Sequence, residues 1–313
     1  MFHLVLPDLM TIAPRRRPCL LIIGCGDIGL RVLRLVQPRW QVLALTSSPE
    51  RVATLRQAGA LPILGNLDEP RSLHRLAGMA RLAQAVLHLA PPPGQGAGDP
   101  RTAALLQALL RGAPRNGAPP QRLVYASTSG VYGDCAGALI DESHPVAPST
   151  ERARRRVAAE GLVRAYGRIS GATVSILRIP GIYAADRAGG HPRDRLLRGT
   201  PVLAQGDDVY TNHIQADDLA RACMAALHRG LPQRVVHASD DSDLKMGDYF
   251  DLAADLCGLP RPPRISRSQA DSQISPMLLS FMSESRRLQN HRMKAELKLR
   301  LLFPTVAEGL RGT

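Results

Sequence analysis

Leu20-Leu21-Ile22-Ile23-Gly24-Cys25-Gly26-Asp27-Ile28-Gly29 runs four apolar residues, enough for a buried strand, straight into a G-x-G-x-x-G turn. The following Leu30-Arg31-Val32-Leu33-Arg34-Leu35-Val36 has helical spacing. Strand, glycine turn and helix therefore arrive in the order that a dinucleotide site needs. In such a site Gly24 permits the tight turn, Gly26 lets phosphates approach the backbone, and Gly29 lets the helix close on the strand. Asp27 and Ile28 open the helix, whose first unpaired N–H groups face the phosphates. An ordinary glycine-rich βα turn has the same letters, and the surroundings decide between the two.

A second apolar run, Trp40 to Leu45, ends about 20 residues beyond the glycines, where such a unit reads the adenosine ribose. No acid stands there. Thr46, Ser47 and Ser48 follow, with Arg51 close behind, so the ribose end offers hydroxyls and a guanidinium. NADP(H) is expected over NAD(H), although Arg51 can equally be a solvated residue of the next helix, read over Pro49 to Gly59 with Ser48 as N-cap. A third strand, Leu61 to Gly65, leads to Asn66, an adenine contact or a cap for the segment from Glu69. The fourth, Ala85 to Ala90, puts Leu89, Ala90 and Pro91 along the cofactor trough, since ligands lie outside the carboxyl ends of the strands. His88 reads as a core histidine.

The 313 residues suffice for one large core or for a main and a smaller domain, with 44% hydrophobic content. The formal net charge of +13 invites a nucleic-acid reading. Lysine, however, occurs only at 245, 294 and 298, so the charge is arginine spread along the chain, as an Ala/Leu/Arg/Gly-rich composition produces. No nucleic-acid partner is expected, and the charge suits anionic small molecules. Cysteines at 19, 25, 135, 223 and 257 form no C-x-x-C pair, which fits a reducing, cytoplasmic setting and no metal site. No apolar run approaches a membrane span. Residues 1–18 precede the first strand as an extension, and Met10 competes with Met1 as the start.

The fifth strand, Arg122 to Ala126, leads into Ser127-Thr128-Ser129-Gly130-Val131-Tyr132-Gly133-Asp134. Hydroxyls at a strand's carboxyl end face the place where a nicotinamide meets its substrate, unless they only satisfy their own turn. With Asp141-Glu142, the strand Ser175 to Arg178 leading to Gly181-Ile182-Tyr183, and His213-Ile214 with Asp217-Asp218-Leu219-Ala220, the chain resembles the short-chain dehydrogenase/reductase superfamily in its extended, epimerase/dehydratase-like branch. The resemblance implies an α/β fold, a Rossmann-type doubly wound parallel sheet with a smaller C-terminal substrate-binding domain. It divides the chain into 19–180, rejoined by 208–240, and a substrate region over 181–313. It also implies that Thr128 contacts a substrate oxygen, that a homodimer forms, and that the tail completes the substrate domain.

One departure stands out. Aligning the family's Lys-x-x-x-Glu on Glu160 puts Arg156 at the lysine and Arg152 at the tyrosine of the catalytic Tyr-x-x-x-Lys pair. A tyrosine of pKa about 10 can be drawn toward neutrality and trade a proton, whereas a guanidinium keeps its proton. Arg156 either grips ribose or an anion, or lies on a solvated helix face. Tyr132, Tyr183 and His213 become the candidate proton carriers. The resemblance thus implies an NAD(P)-dependent epimerase/dehydratase or reductase on a small polar, anionic substrate, with a non-catalytic NADP(H)-binding sensor as the alternative.

Overall fold

The computed structural model describes residues 17–112, 120–187 and 189–311. The expected N-terminal extension, apart from Arg17 and Pro18, lies outside the described residues, and so does the choice of start. The core of the molecule is a seven-stranded sheet. Strands β1 (Cys19–Ile23), β2 (Gln41–Thr46), β3 (Leu61–Leu64), β4 (Ala85–His88) and β5 (Arg122–Thr128) run in the order β3-β2-β1-β4-β5. Thr173–Ile179 and then Arg234–His237 extend it beyond β5. Every pairing is parallel, with Leu20 opposite Val42 on one side and Ala85 on the other. The short apolar runs read from sequence are these strands; the inner ones are buried on both faces, while the edge strand β3 leaves Leu61 and Leu64 exposed. Strand order reverses between β1 and β4, so a crevice opens at their carboxyl ends.

Helices cover both faces. On one, α1 (Asp27–Val36) and Ala216–Arg229 bury Val32, Leu33, Leu219 and Cys223 against Leu20, Ile22 and Ala44. On the other, α3 (His74–Ala80), α4 (Pro100–Gly112) and α5 (Glu151–Ser170) set Leu76, Leu105, Leu109 and Val163 against Leu21, Ile23 and Val86. Each such side chain contributes roughly 2 kcal/mol on leaving water. Between them, α2 spans Arg51–Gln57, later than expected, and Ser48 does not cap it: Glu50 takes the N-cap without a side-chain bond. The boundaries of α5 follow from its capping residues. Thr150 accepts the Ala153 N–H at 3.2 Å, and Gly171 ends the helix at φ +74°.

A third core gathers Leu196, Val202, Val209, Tyr249, Phe250, Ile265, Met282 and Val306 around Met246–Cys257. The closing segment departs from expectation. Val306 and Leu310 join this third core, but Met293, Leu297, Leu299 and Leu301 pack into the core under α1. Asp218, the family-like acid at the start of Ala216–Arg229, holds them there by accepting the N–H groups of Leu302 and Phe303 at 2.9 and 2.8 Å.

Candidate cofactor and substrate site

The glycine turn has the shape that a diphosphate requires. Gly24 sits at φ +79°, and a Cβ there would come within 2.6 Å of the Ala90 backbone nitrogen, so only glycine lets β1 and β4 meet at the crevice. A Cβ on Gly26 would meet nothing within 4 Å, so the space in front of it is open. On Gly29 a Cβ would crowd Cys25 Sγ at 3.1 Å, which is the helix-on-strand contact. No side chain caps the first N–H groups of α1. An open cradle with uncapped helix donors fits a dinucleotide's phosphates.

A cavity of about 220 Å³ beside the turn is lined by Gly24, Thr46, Ser47, Arg51, Asn66, Ala90 and Pro91. These are seven of the expected cofactor residues; Gly26, Asp27, Ile28, Gly29 and Leu89 are not in its lining. Arg51 donates through Nη2 to the Cys25 carbonyl at 2.8 Å, bringing its charge from α2 back over the glycine turn. Ser47 is exposed, whereas Thr46 is buried and spends its hydroxyl on the Ser48 N–H at 3.2 Å. Asn66 is used by its own turn: Oδ1 accepts the Asp68 N–H at 3.0 Å and Nδ2 donates to Glu69 at 3.2 Å. Burial pushes the Cys25 thiol up to about 11, so it is chemically quiet in the turn.

A larger cavity of about 520 Å³ opens from the end of β5 to the third core. Thr128 and Ser129 line one side, while Arg152, Arg195, Arg198 and His213 surround the rest. Arg152 lies over the Phe281 ring at 4.4 Å and Arg195 over Phe250 at 4.1 Å. Neither these two nor Arg198 forms an ion pair with a described carboxylate. Burial brings Arg195 down to about 10. Thr128 caps its own turn by accepting the Gly130 N–H at 3.3 Å, which leaves its O–H free to donate.

The three candidate proton carriers part company. Tyr132 is 1% exposed and does not line the cavity. Its hydroxyl lies 2.5 Å from His237 Nε2, and His237 Nδ1 lies 2.8 Å from the Gln289 carbonyl. A carbonyl only accepts, so Nδ1 carries the ring proton and Tyr132 donates to Nε2. Burial also raises the Tyr132 phenol to about 12. Tyr183 lines the cavity but turns its hydroxyl onto the Thr305 carbonyl at 3.3 Å, and burial drives its pKa further up still. His213 lines the cavity, stacks on Tyr249 at 4.1 Å, and is held neutral by burial, which lowers it to about 3. Its Nδ1 is buried without a partner.

Arg156 is no solvated residue. Nη1 donates to the Ala126 carbonyl at 2.5 Å and to the Tyr125 hydroxyl at 3.2 Å, fastening α5 to β5. Glu160, one turn on, accepts from Ser127 Oγ at 2.6 Å and from Arg178 Nη2 at 2.8 Å. The sequence carries a cluster of cations at Arg187 and His191-Pro192-Arg193-Asp194-Arg195, suited to a phosphate or carboxylate on a substrate unless it is a solvated loop; of these His191 and Arg195 reach the cavity, while Arg187 turns to Asp27. Arg198 and the aromatic shelf of Tyr249, Phe250 and Phe281 carry no motif in the sequence, and Arg286 reads there only as one of the basic residues of the tail. Their only sequence signal is the arginine-rich tail and a few isolated aromatics. No group of three or more His, Cys, Asp or Glu is placed to hold a metal among the described residues, and no described helix is long and apolar enough to cross a membrane.

Comparison with known proteins gives these two cavities a setting. A functionally unknown conserved protein from Silicibacter pomeroyi shares the structure over 94% of this chain and 97% of that one, with TM-score 0.77 and 30% identity. A 4-hydroxy-2-methyl-3-oxo-4-farnesyl-3,4-dihydroquinoline-1-oxide ketoreductase of Stigmatella aurantiaca is 27% identical over 246 residues, 75% of this chain and 72% of that protein. A provisionally named UDP-glucose 4-epimerase of Methanocaldococcus jannaschii is 24% identical over 143 residues, 42% of this chain and only 45% of that protein. Two further solved structures of the same fold, 16% and 17% identical, contain NAD. The model of the NAD-dependent epimerase/dehydratase family matches residues 20–238, so the glycine turn, β5 with Thr128, and Arg234–His237 all fall within one match, and the chain belongs to that family.

Proposed function

We propose that the protein is an NADP(H)-dependent reductase, epimerase or dehydratase acting on a small polar substrate that carries a negative charge. The observation that carries this reading is the larger cavity. It brings the free hydroxyl donor of Thr128 into the same space as three guanidiniums without carboxylate partners, Arg152, Arg195 and Arg198. A guanidinium stacked on a ring keeps its N–H edge for a carboxylate or phosphate.

A nicotinamide cofactor supplies hydride transfer when bound. Thr128 then donates to a carbonyl or hydroxyl oxygen of the substrate. Proton transfer falls to His213, the neutral ring on the cavity wall; an anion held beside it favours its protonated form and brings it closer to working range. Preference for NADP(H) over NAD(H) is supported by Arg51 beside the glycine turn and by Ser47-Ser48 rather than an acid directly after β2. The family resemblance supports a homodimer, and five free cysteines are compatible with the cytoplasm.

Arg156 favours a second reading. Pinned to Ala126 and Tyr125, it does no proton chemistry, as expected of a non-catalytic NADP(H) sensor. One experiment separates the two readings. The protein and an Arg51→Ala variant are titrated with NADPH and NADH by fluorescence, then assayed for NADPH oxidation on neutral and anionic aldehydes and ketones. The variant is expected to bind NADPH about tenfold more weakly while NADH binding is unchanged, as loss of one phosphate-gripping cation predicts. Turnover confined to anionic carbonyl compounds supports the enzyme; binding with no turnover leaves the sensor. Equal loss of both nucleotides in the variant removes the 2′-phosphate role.

A further inference from the structure

A carboxylate stands in the first turn of the helix whose N-terminus has to receive the cofactor's diphosphate. Asp27 is the first residue of α1, immediately after Gly26. Its charge suits an empty helix N-terminus, but a diphosphate brought to the same N–H groups meets it as a like charge. The structure neutralises it from two directions. Oδ1 accepts from Arg31 Nε at 3.1 Å, and Oδ2 accepts from Arg187 Nη1 at 2.7 Å.

These two cations are not equivalent. Arg31, 4% exposed, is shared among three carboxylates: Asp27, Asp217 at 2.6 Å and Asp186. Shared by three acids, this one guanidinium does not neutralise Asp27 by itself. Arg187 has its single ion pair, among the described residues, with Asp27. It arrives on the loop after Gly181–Tyr183, the same loop that goes on to supply Gly189, Gly190, His191 and Arg195 to the larger cavity.

We infer that Arg187 is a cofactor-positioning residue: it cancels the charge of Asp27 so that the N-terminus of α1 accepts a nucleotide diphosphate, and it thereby ties the loop of the substrate cavity to the cofactor cradle. This rests on the cofactor reading above and adds a residue that neither the glycine motif nor the cavity lining contains.

The test is an NADPH fluorescence titration of the full chain, its Arg187→Gln, Arg187→Lys and Asp27→Asn variants, and the double variant. One uncancelled charge near the diphosphate predicts a Kd raised about five- to tenfold in Arg187→Gln at low ionic strength. The rise shrinks with added salt, because Arg187 and Asp27 are 29% and 31% exposed. Arg187→Lys keeps the charge and binds like the parent. Adding Asp27→Asn to Arg187→Gln removes the charge that needed cancelling and returns the Kd to within about twofold of the parent, the signature of a coupled pair. An unchanged Kd in Arg187→Gln overturns the inference, and so does a loss that Asp27→Asn fails to repair. A parent protein that binds neither NADPH nor NADH overturns the cofactor reading itself, before any substitution is considered.

Discussion

Glu160 and Arg178 meet with 5% of each side chain exposed, and Ser127 takes up one of the remaining carboxylate lone pairs. A pair so far from water is held by geometry, and removing one partner strands the other charge in a poorly solvating interior. Glu160→Gln is therefore expected to lower unfolding free energy by about 3 kcal/mol or more, measured by urea denaturation. A loss below 1 kcal/mol would mean that solvent reaches Arg178 readily. At this scale the sequence was only partly legible. Arg152, Arg155 and Arg156 stand within one helical turn, and nothing in their letters says which is buried. Arg155 reaches the Gly96 carbonyl at 3.2 Å, Arg156 holds β5, and Arg152 faces the cavity, because α5 is rotated by its packing against β5 and α4. That rotation is a tertiary fact. His88 was legible as a core residue: Thr102 gives its hydroxyl proton to Asp99 at 2.6 Å, so it accepts from His88 Nε2–H at 2.8 Å.

Among the elements, the βα turn of Gly24 is the one whose geometry tolerates least. Gly24→Ala forces a left-handed backbone on a residue with a Cβ and drives that Cβ into β4's continuation at Ala90. The variant is expected to lose about 2 kcal/mol of stability and all measurable nucleotide binding, read by thermal melts and by the NADPH titration. Intact binding would show that the turn adapts. The strands of the main sheet were readable because each is a largely apolar run, buried in all but the edge strand β3, and needs no partner to be recognised. Two-residue strands such as Leu139–Ile140, paired with Arg287–Leu288, and Val202–Leu203, paired with Arg264–Ile265, were not. They exist only because distant segments happen to lie alongside one another, and no local pattern announces that. The larger cavity gathers side chains from the end of β5, α5, the 189–198 stretch, 210–213, Met246–Cys257 and 278–286, segments far apart in sequence, so no local pattern marks Arg198 or the aromatic shelf as its lining.

For the molecule as a whole, three histidines are folded in the neutral state. Burial lowers His88 and His213 to about 3 and His237 to about 4. The unfolded chain protonates all three near pH 6.5, so below that value it binds more protons than the native state. Their contribution is present in full above about pH 6.5 and is lost as pH falls toward 4. The unfolding free energy from urea denaturation is expected to fall between about pH 7 and pH 5, with a slope approaching about 4 kcal/mol per pH unit if all three titrate together. His88→Gln removes one proton from that linkage; an acid profile indifferent to it would mean that His88 is not neutral through burial.

Met293, Leu297, Leu299 and Leu301 complete the same core as Leu20 and Ile22 of β1. During synthesis, then, the strand β1 leaves the ribosome long before the side chains that seal its flank. The nucleotide-binding half has to wait, with an apolar surface uncovered, until residue 301 has emerged. A chain interrupted before that point keeps the flank of its main sheet open to water.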